Sequence, residues 1–300
     1  MGTSSPHDQK RILLIGATGL VGGALFQEAP KNTLATFYSQ ERSEPQFQKL
    51  DICDSKAVNT LIEKSKPEVV LLSSYFPNVE ACEENPSESA KINIEGILNI
   101  LKPSLQIGAF SVFYSSDYVF DGKLGPYPED APLNPLSVYG EQKAQIETWL
   151  KENAKDQSLV IRITGVFGVE EKRKNFAYGV LAHAKTQKEM KVPVDQTATP
   201  SYAPDVAKKT FLALNKGLTG VLHIACQNSV SRLQFATEIC EAFELDSSFL
   251  VPTLTANLAQ KAKRPLNGGL LCARLEKELN LNAMELAKAI QDFKSKETSH

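Results

Sequence analysis

The stretch RILLIGATGLVGGALF (11–26) constrains the fold more than any other: an apolar run, a glycine turn, then a segment of helical character. Gly16, Gly19 and Gly22 are spaced as G-x-x-G-x-x-G. A strand that ends in glycines and leads into a helix brings backbone N–H groups and the helix N-terminus to one point, where a pyrophosphate can sit. The glycines permit the tight turn and a close approach of backbone to ligand. Thr18, Leu20 and Val21, between and beside them, are further candidates for cofactor contact. The motif predicts a dinucleotide-binding unit; a plain glycine-rich turn is the alternative.

The rest of the chain repeats that rhythm. Apolar runs at 33–38, 68–74, 110–116, 159–165 and 220–225 read as strands buried on both faces, as in a parallel sheet covered by helices. Asp54 is placed to cap a helix carrying Val58, Leu61 and Ile62. Asn85-Pro86-Ser87-Glu88 joins a cap, a first-turn proline and an acid, and predicts a helix through Ile92, Ile97, Leu98 and Leu101 to about 106. Strand and helix in alternation predict an α/β fold, a doubly wound parallel sheet of Rossmann type. After Gly168 comes a charged stretch, 169–189, of helical character, then a loop leading into a helix that ends near Asn215-Lys216-Gly217. Ser231-Arg232-Leu233-Gln234 is a capping-box pattern before a helix with Phe235, Ile239 and Phe243 on one face. The expected division is a nucleotide-binding domain at 10–168 plus 218–228 and a smaller substrate lobe at 169–217 plus 229–290.

Composition narrows the partners. A 300-residue chain that is 42% hydrophobic can bury a sizeable core, and its net charge of −2 gives no basic excess to drive binding to nucleic acid or a membrane surface. The five cysteines are scattered and form no C-x-x-C, as expected of reduced thiols in a cytoplasmic protein. The four histidines show no ligand spacing, so no metal site is expected. The first ten residues lack the apolar stretch of a secretory signal, and Pro6 stands where myristoylation of Gly2 needs Ser or Thr. No apolar run is long enough to span a bilayer. Residues 1–9 and the tail KSKETSH are expected to be frayed ends.

The stretch NPLSVYGEQKAQ (134–145) sets Tyr139 and Lys143 four residues apart at the start of a predicted helix, hence on one face. Reducing a ketone requires hydride on carbon and a proton on oxygen. A free tyrosine, with a pKa of about 10, is a poor acid–base partner near neutrality, and a neighbouring ammonium is expected to lower that value. Ser116 falls at the C-terminal end of a predicted strand, where α/β sheets place their ligands.

SSDYVFDG (115–122), PYPEDAPLNPLSVYGEQK (126–143), VDQTATPSYAPDVA (194–207) and KRPLNGGLL (263–271) resemble, in series, the motifs of the dTDP-4-dehydrorhamnose reductase family. That family belongs to the short-chain dehydrogenase superfamily and includes the NADP-binding regulatory beta subunit of methionine adenosyltransferase. The resemblance runs from about 11 to 280. It implies that Tyr139 and Lys143 carry the reduction, that Lys143 also reaches the nicotinamide ribose, that Ser116 polarises the substrate carbonyl, and that Asn93 helps to hold a water in the proton relay. It implies adenine contacts at Asp51 and Ile52, and a cofactor border at Ser73, Ser74 and Tyr75, although SSYFPNVEACEE replaces the usual N-A-A. Asp117, Tyr118, Asp195, Gln196 and Arg264 match substrate-binding positions, and an arginine fork suits a nucleotide diphosphate. The usual S-W-x-Y-G is here TGVFG (164–168), without the tryptophan.

The leading expectation is NADPH-dependent reduction of the 4-keto group of a nucleotide sugar such as dTDP-4-dehydro-L-rhamnose. Ser39 and Arg42 after the second strand suit a 2′-phosphate, so NADP(H) is expected to be preferred, with NAD(H) open. One alternative is a regulatory subunit that binds NADP and a methionine adenosyltransferase. Another is a nucleotide-sugar epimerase or dehydratase; Asp117-Tyr118, where dehydratases need an Asp-Glu pair, counts against dehydration. A homodimer is an open expectation. The proline-rich loop 121–136 joins the two catalytic segments and is expected to border the substrate, with Tyr127 as a sugar contact.

Overall fold

The computed structural model describes residues 10–299; the readings for Gly2, Pro6 and residues 1–9, and His7 and His300, lie outside the described residues. The strands are β1 (Ile12–Ile15), β2 (Leu34–Phe37), β3 (Phe47–Lys49), β4 (Val69–Leu72), β5 (Phe110–Ser116), β6 (Ser158–Ile163), β7 (Met190–Pro193), β8 (Thr197–Ala198), β9 (Gly220–His223), β10 (Val230–Ser231) and β11 (Leu250–Thr253). Seven form one sheet in the order β3-β2-β1-β4-β5-β6-β9, every neighbouring pair parallel. The order turns around between β1 and β4, and a crevice opens at such a switch point beyond the strands' C-terminal ends. β3 escaped the sequence reading because it is three residues long and mostly exposed. It is held by pairing with β2 and by Phe47, whose ring centroid lies 4.6 Å from that of Phe26.

The helices are α1 (Leu20–Glu28), α2 (Ser55–Ser65), α3 (Val79–Glu84), α4 (Pro86–Ala90), α5 (Ile97–Gln106), α6 (Val138–Asn153), α7 (Phe176–Thr186), α8 (Ala203–Lys216), α9 (Arg232–Ala242), α10 (Ala273–Leu279) and α11 (Leu286–Thr298). Alternate strand residues point to opposite faces. Leu13, Ile15, Val70, Leu72 and Phe113 pack on α2, α5 and α6, whereas Ile12, Leu14, Leu71, Val112 and Ile161 pack on α1, α8 and α10. A second core, around Phe167, Phe235 and Phe293, joins α7, α9 and α11.

Several expectations change. Helix α8 lies in the range given to the substrate lobe, yet its Val206, Ala207, Ala213 and Leu214 share the core of the sheet. The stretch 169–189 is helical only from Phe176. The tail is helical to Thr298, because Leu286, Ala289, Ile290 and Phe293 bury one face of α11. Asp54 caps α2 through Lys56 N and Ala57 N, and Ser231 caps α9 through Gln234 N. Asn85 makes no side-chain cap; it is the single residue joining α3 and α4, with Pro86 at the first helical position. The helix beyond runs on through a π-helical turn, Lys91–Gly96.

Candidate functional site

The loop after β1 is shaped by two glycines that nothing larger can replace. Gly16 has φ +82°, and a Cβ on it would lie 2.8 Å from Ser74 N. A Cβ on Gly22 would lie 2.1 Å from Gly16 O, so Gly22 lets α1 press against the turn. Gly19, at the start of α1, is different: its nearest protein atom would be 3.6 Å away. Ser73 Oγ donates to Ile15 O at 2.7 Å and fixes the loop to β4. A cavity of about 470 Å³ opens there, lined among others by Gly16, Thr18, Gly19, Ser39, Asp51, Ile52, Ser73, Ser74 and Tyr75. Leu20 and Arg42 border an adjoining cleft instead, and Val21 packs into the core. The Arg42 guanidinium is paired with Glu171 at 2.5 Å. Lys172 lines the first cavity; sequence reasoning missed it, because nothing in a charged stretch marks one lysine out.

The second half of the site is the end of β5 and the start of α6. Ser116 is buried; its Oγ donates to Asp117 Oδ1 at 3.2 Å and accepts from Tyr118 N at 3.2 Å. Ser137 caps α6 by accepting from Gly140 N. Gly140 allows the helix to approach, since a Cβ there would lie 2.2 Å from Tyr118 O. Tyr139 is thereby set between two rings, 5.4 Å from Tyr75 and 5.6 Å from Tyr118 between centroids. Lys143 is buried, donates to Tyr114 O at 2.6 Å, and lies 3.3 Å from the centroid of the Tyr75 ring and 5.9 Å from that of Tyr139.

Burial governs the titration of both groups. It holds the Lys143 ammonium well below the usual lysine value, Glu147 opposing. It raises the Tyr139 phenol, the charges of Tyr118 and Asp117 adding to the effect and the Ser116 hydroxyl opposing it. The expected lowering of the phenol by Lys143 is therefore not what this arrangement produces: the ammonium is directed at a carbonyl and at a different ring. Tyr139 is held in its protonated form, the form that can give a proton.

Asn93 sits in the π-helical turn, fully buried. Its Oδ1 accepts from Phe76 N at 2.8 Å and its Nδ2 donates to Gln142 Oε1 at 2.7 Å. Gln142 in turn donates to Ser89 Oγ at 2.7 Å. In this geometry Asn93 ties the segment after β4 to the helix that carries Tyr139 and Lys143. Gln142 was missed, its partners being 49 and 53 residues distant in the chain.

A narrow cavity of about 40 Å³ lies beyond Ser116, lined among others by Asp117, Tyr118, Thr164, Gln196, Arg232 and Pro265. Asp117 is buried and accepts from Gly269 N; burial raises its carboxyl, with Thr164, Gly269 and Ser116 opposing. Asp195 does not line this cavity: its carboxylate accepts from Thr255 N and Oγ1. Arg264 pairs with Glu80 at 2.5 Å, tying segment 261–264 to α3. Loop 121–136 lies against 265–271, and none of its residues lines the cavity. Tyr127 is stacked on Phe120 at 4.3 Å and donates to Asp121 at 2.6 Å, so it braces the loop and does not face the cavity. Thr164 and Arg232 carry no signal of this role in the sequence, where Arg232 is one residue of a capping-box pattern.

Among the described residues no group of three or more His, Cys, Asp or Glu is gathered to hold a metal ion, and no helix is long and apolar enough to cross a membrane. The sheet order, the glycine loop at its switch point and the Tyr139–Lys143 helix define the fold of the extended short-chain dehydrogenases and reductases. More narrowly, a family profile described as RmlD substrate binding domain matches residues 10–298, and the chain belongs to that family. It is 31% identical over 275 residues to Methionine adenosyltransferase 2 subunit beta of Bos taurus, covering 89% of this chain and 82% of that protein. It is 29% identical over 290 residues to Spore coat polysaccharide biosynthesis protein SpsK of Bacillus subtilis (strain 168), covering 96% and 98%. A crystal structure of a dTDP-4-dehydrorhamnose reductase from Clostridium acetobutylicum matches with a TM-score of 0.86 at 28% identity, over 96% of this chain and 99% of that one.

Proposed function

We propose that this protein reduces the 4-keto group of a nucleotide sugar, dTDP-4-dehydro-L-rhamnose or a close analogue, with NADPH. The observation that carries the reading is that Tyr139 and Lys143 both pack on Tyr75, a lining residue of the glycine-lined cavity, with the Ser116–Tyr118 turn on the other side of Tyr139. That cavity suits a dinucleotide: a Cβ at Gly19 would meet no protein atom closer than 3.6 Å, and the pyrophosphate belongs there, at the start of α1. Ser39 and Lys172 line its far side and suit a 2′-phosphate, Arg42 sharing its charge with Glu171. NADPH, when bound, supplies the hydride. Tyr139, kept protonated by burial, gives its proton to the developing alkoxide, and the Ser116 hydroxyl polarises the carbonyl. The same reading makes the sheet with its flanking helices the cofactor domain and the Phe167–Phe235–Phe293 core the substrate lobe.

The test follows NADPH absorbance with freshly made dTDP-4-keto-6-deoxy-L-mannose. Saturable oxidation is expected, with kcat reduced by about 10²-fold or more in Tyr139→Phe and NADPH affinity little changed. Normal turnover by that variant removes Tyr139 as the acid.

A second reading is favoured by the relative named as a methionine adenosyltransferase subunit: an NADP-binding regulatory subunit docked on such an enzyme. Absence of turnover together with co-purification of a methionine adenosyltransferase is its expected outcome.

A further inference from the structure

The chain has seven arginines. Six are paired with a carboxylate: Arg11, Arg42, Arg162, Arg173, Arg264 and Arg274. Arg232 pairs with none among the described residues, and its side chain lies with the guanidinium carbon 4.6 Å from the centroid of the Phe176 ring. A cation–π contact uses the face of the ring and consumes no N–H donor in a hydrogen bond. No hydrogen bond from the Arg232 guanidinium N–H donors, a fork shaped for phosphate or carboxylate oxygens, is found among the described residues.

The position of that fork is fixed. Arg232 N donates to Gln196 O at 2.9 Å, Val230 and Ser231 pair with Ala198 and Thr197, and Phe176 holds the side chain. The guanidinium lines the narrow cavity beyond Ser116 together with Asp117, Tyr118, Thr164 and Gln196. The cavity is therefore dipolar. Arg232 offers positive charge and donors, and Asp117 offers an acceptor next to the catalytic hydroxyl. Arg264, the arginine marked out by the sequence, has its charge met by Glu80 through Nη2, and its Nη1 is buried without a hydrogen bond.

We propose that Arg232 is the anion-recognising residue of the substrate lobe: it takes a phosphate oxygen of a nucleoside diphosphate, while the hydroxyls of the attached sugar turn towards Asp117 and the Ser116–Tyr139 pair. The proposal rests on the nucleotide-sugar reading above and deepens it by naming the group that reads the diphosphate. Arg232 is a specificity residue and takes no part in the bond that reacts.

The experiment titrates dTDP, UDP and uncharged thymidine into the full-length chain by calorimetry, and repeats this with Arg232→Gln and Arg232→Lys. Wild type is expected to bind the diphosphates more tightly than thymidine. Arg232→Gln should weaken diphosphate binding by about 10- to 100-fold, the scale of a lost hydrogen bond to a charged group. Arg232→Lys should fall between, because a lysine keeps the charge without the fork. Thymidine and NADP+ affinities should be unchanged and the melting temperature nearly so, since the side chain makes a cation–π contact with Phe176 and no ion pair among the described residues. Equal diphosphate affinity in wild type and Arg232→Gln overturns the assignment, as does wild type that binds dTDP no better than thymidine. Turnover is read separately. A protein that binds dTDP through Arg232 but oxidises no NADPH keeps this site and loses the reductase reading. One that reduces a 4-keto nucleotide sugar with unchanged KM in Arg232→Gln keeps the reductase reading and loses this site.

Discussion

Lys143 Nζ lies 3.3 Å from the centroid of the Tyr75 ring, so the ammonium is covered by an aromatic face. That contact replaces water as the partner of a buried charge. The Tyr75 hydroxyl is itself buried with no hydrogen-bond partner. The ring therefore carries the interaction and the hydroxyl is a burden. Tyr75→Phe is expected to be as stable as wild type or up to about 1–2 kcal/mol more stable. Tyr75→Ala, which strips the ring from Lys143 and Phe113, is expected to lose about 3–5 kcal/mol. Urea midpoints of the two variants check this; equal losses would mean that the hydroxyl matters after all.

The glycines of the first loop should separate into two kinds. Gly22→Ala drives a methyl to 2.1 Å from Gly16 O and is expected to destabilise by several kcal/mol, on the order of other overpacked sites. Gly19→Ala has room in the protein and should melt like wild type. Its methyl sits where the pyrophosphate is proposed, so NADP+ affinity should drop by about 10-fold or more. Thermal melts and cofactor titration on both variants read the two effects apart.

Gly140 sets the distance between the two catalytic segments. A Cβ there would lie 2.2 Å from Tyr118 O, so Gly140→Ala must push α6, with Tyr139 and Lys143, away from the Ser116 turn. A shift on the order of 1 Å can cost about 10²-fold in rate. The variant is expected to lose kcat far more than NADPH affinity; a fall in affinity alone would place the strain elsewhere.

His223 predicts a pH dependence. Its Nδ1–H donates to Leu271 O at 2.9 Å and its Nε2 faces an Arg162 N–H at 3.2 Å. Burial, with the Arg162 charge adding to it, holds its pKa down to about 3. Between pH 6.5 and 3 the unfolded chain binds a proton that the folded one refuses. Stability should therefore be intact above pH 6.5 and fall as pH drops through that window, by roughly 1.4 kcal/mol per unit from this residue. His223→Gln should start lower and show a flatter slope, measured as the urea midpoint against pH.

Much of this was legible in the linear chain, for local reasons. The loop Gly16–Gly22, the alternating apolar runs, the Asp54 and Ser231 caps and the four-residue spacing of Tyr139 and Lys143 are short-range signals. Backbone sterics, strand burial and helix period determine them without help from distant residues. What only the tertiary structure decided is which charges are free. Arg42, Arg264 and Asp195 look available in sequence, but Glu171, Glu80 and Thr255, 129, 184 and 60 residues away, engage them. Arg232 looks like an ordinary helix start and is the arginine without a carboxylate partner among the described residues, whereas Arg264 is paired through Nη2 and keeps only a buried Nη1 without a hydrogen bond. The same holds for titration: four residues of spacing suggested a phenol lowered by lysine, whereas burial between Tyr75 and Tyr118 raises it. Desolvation and pairing depend on neighbours brought together by folding, and no local pattern encodes them.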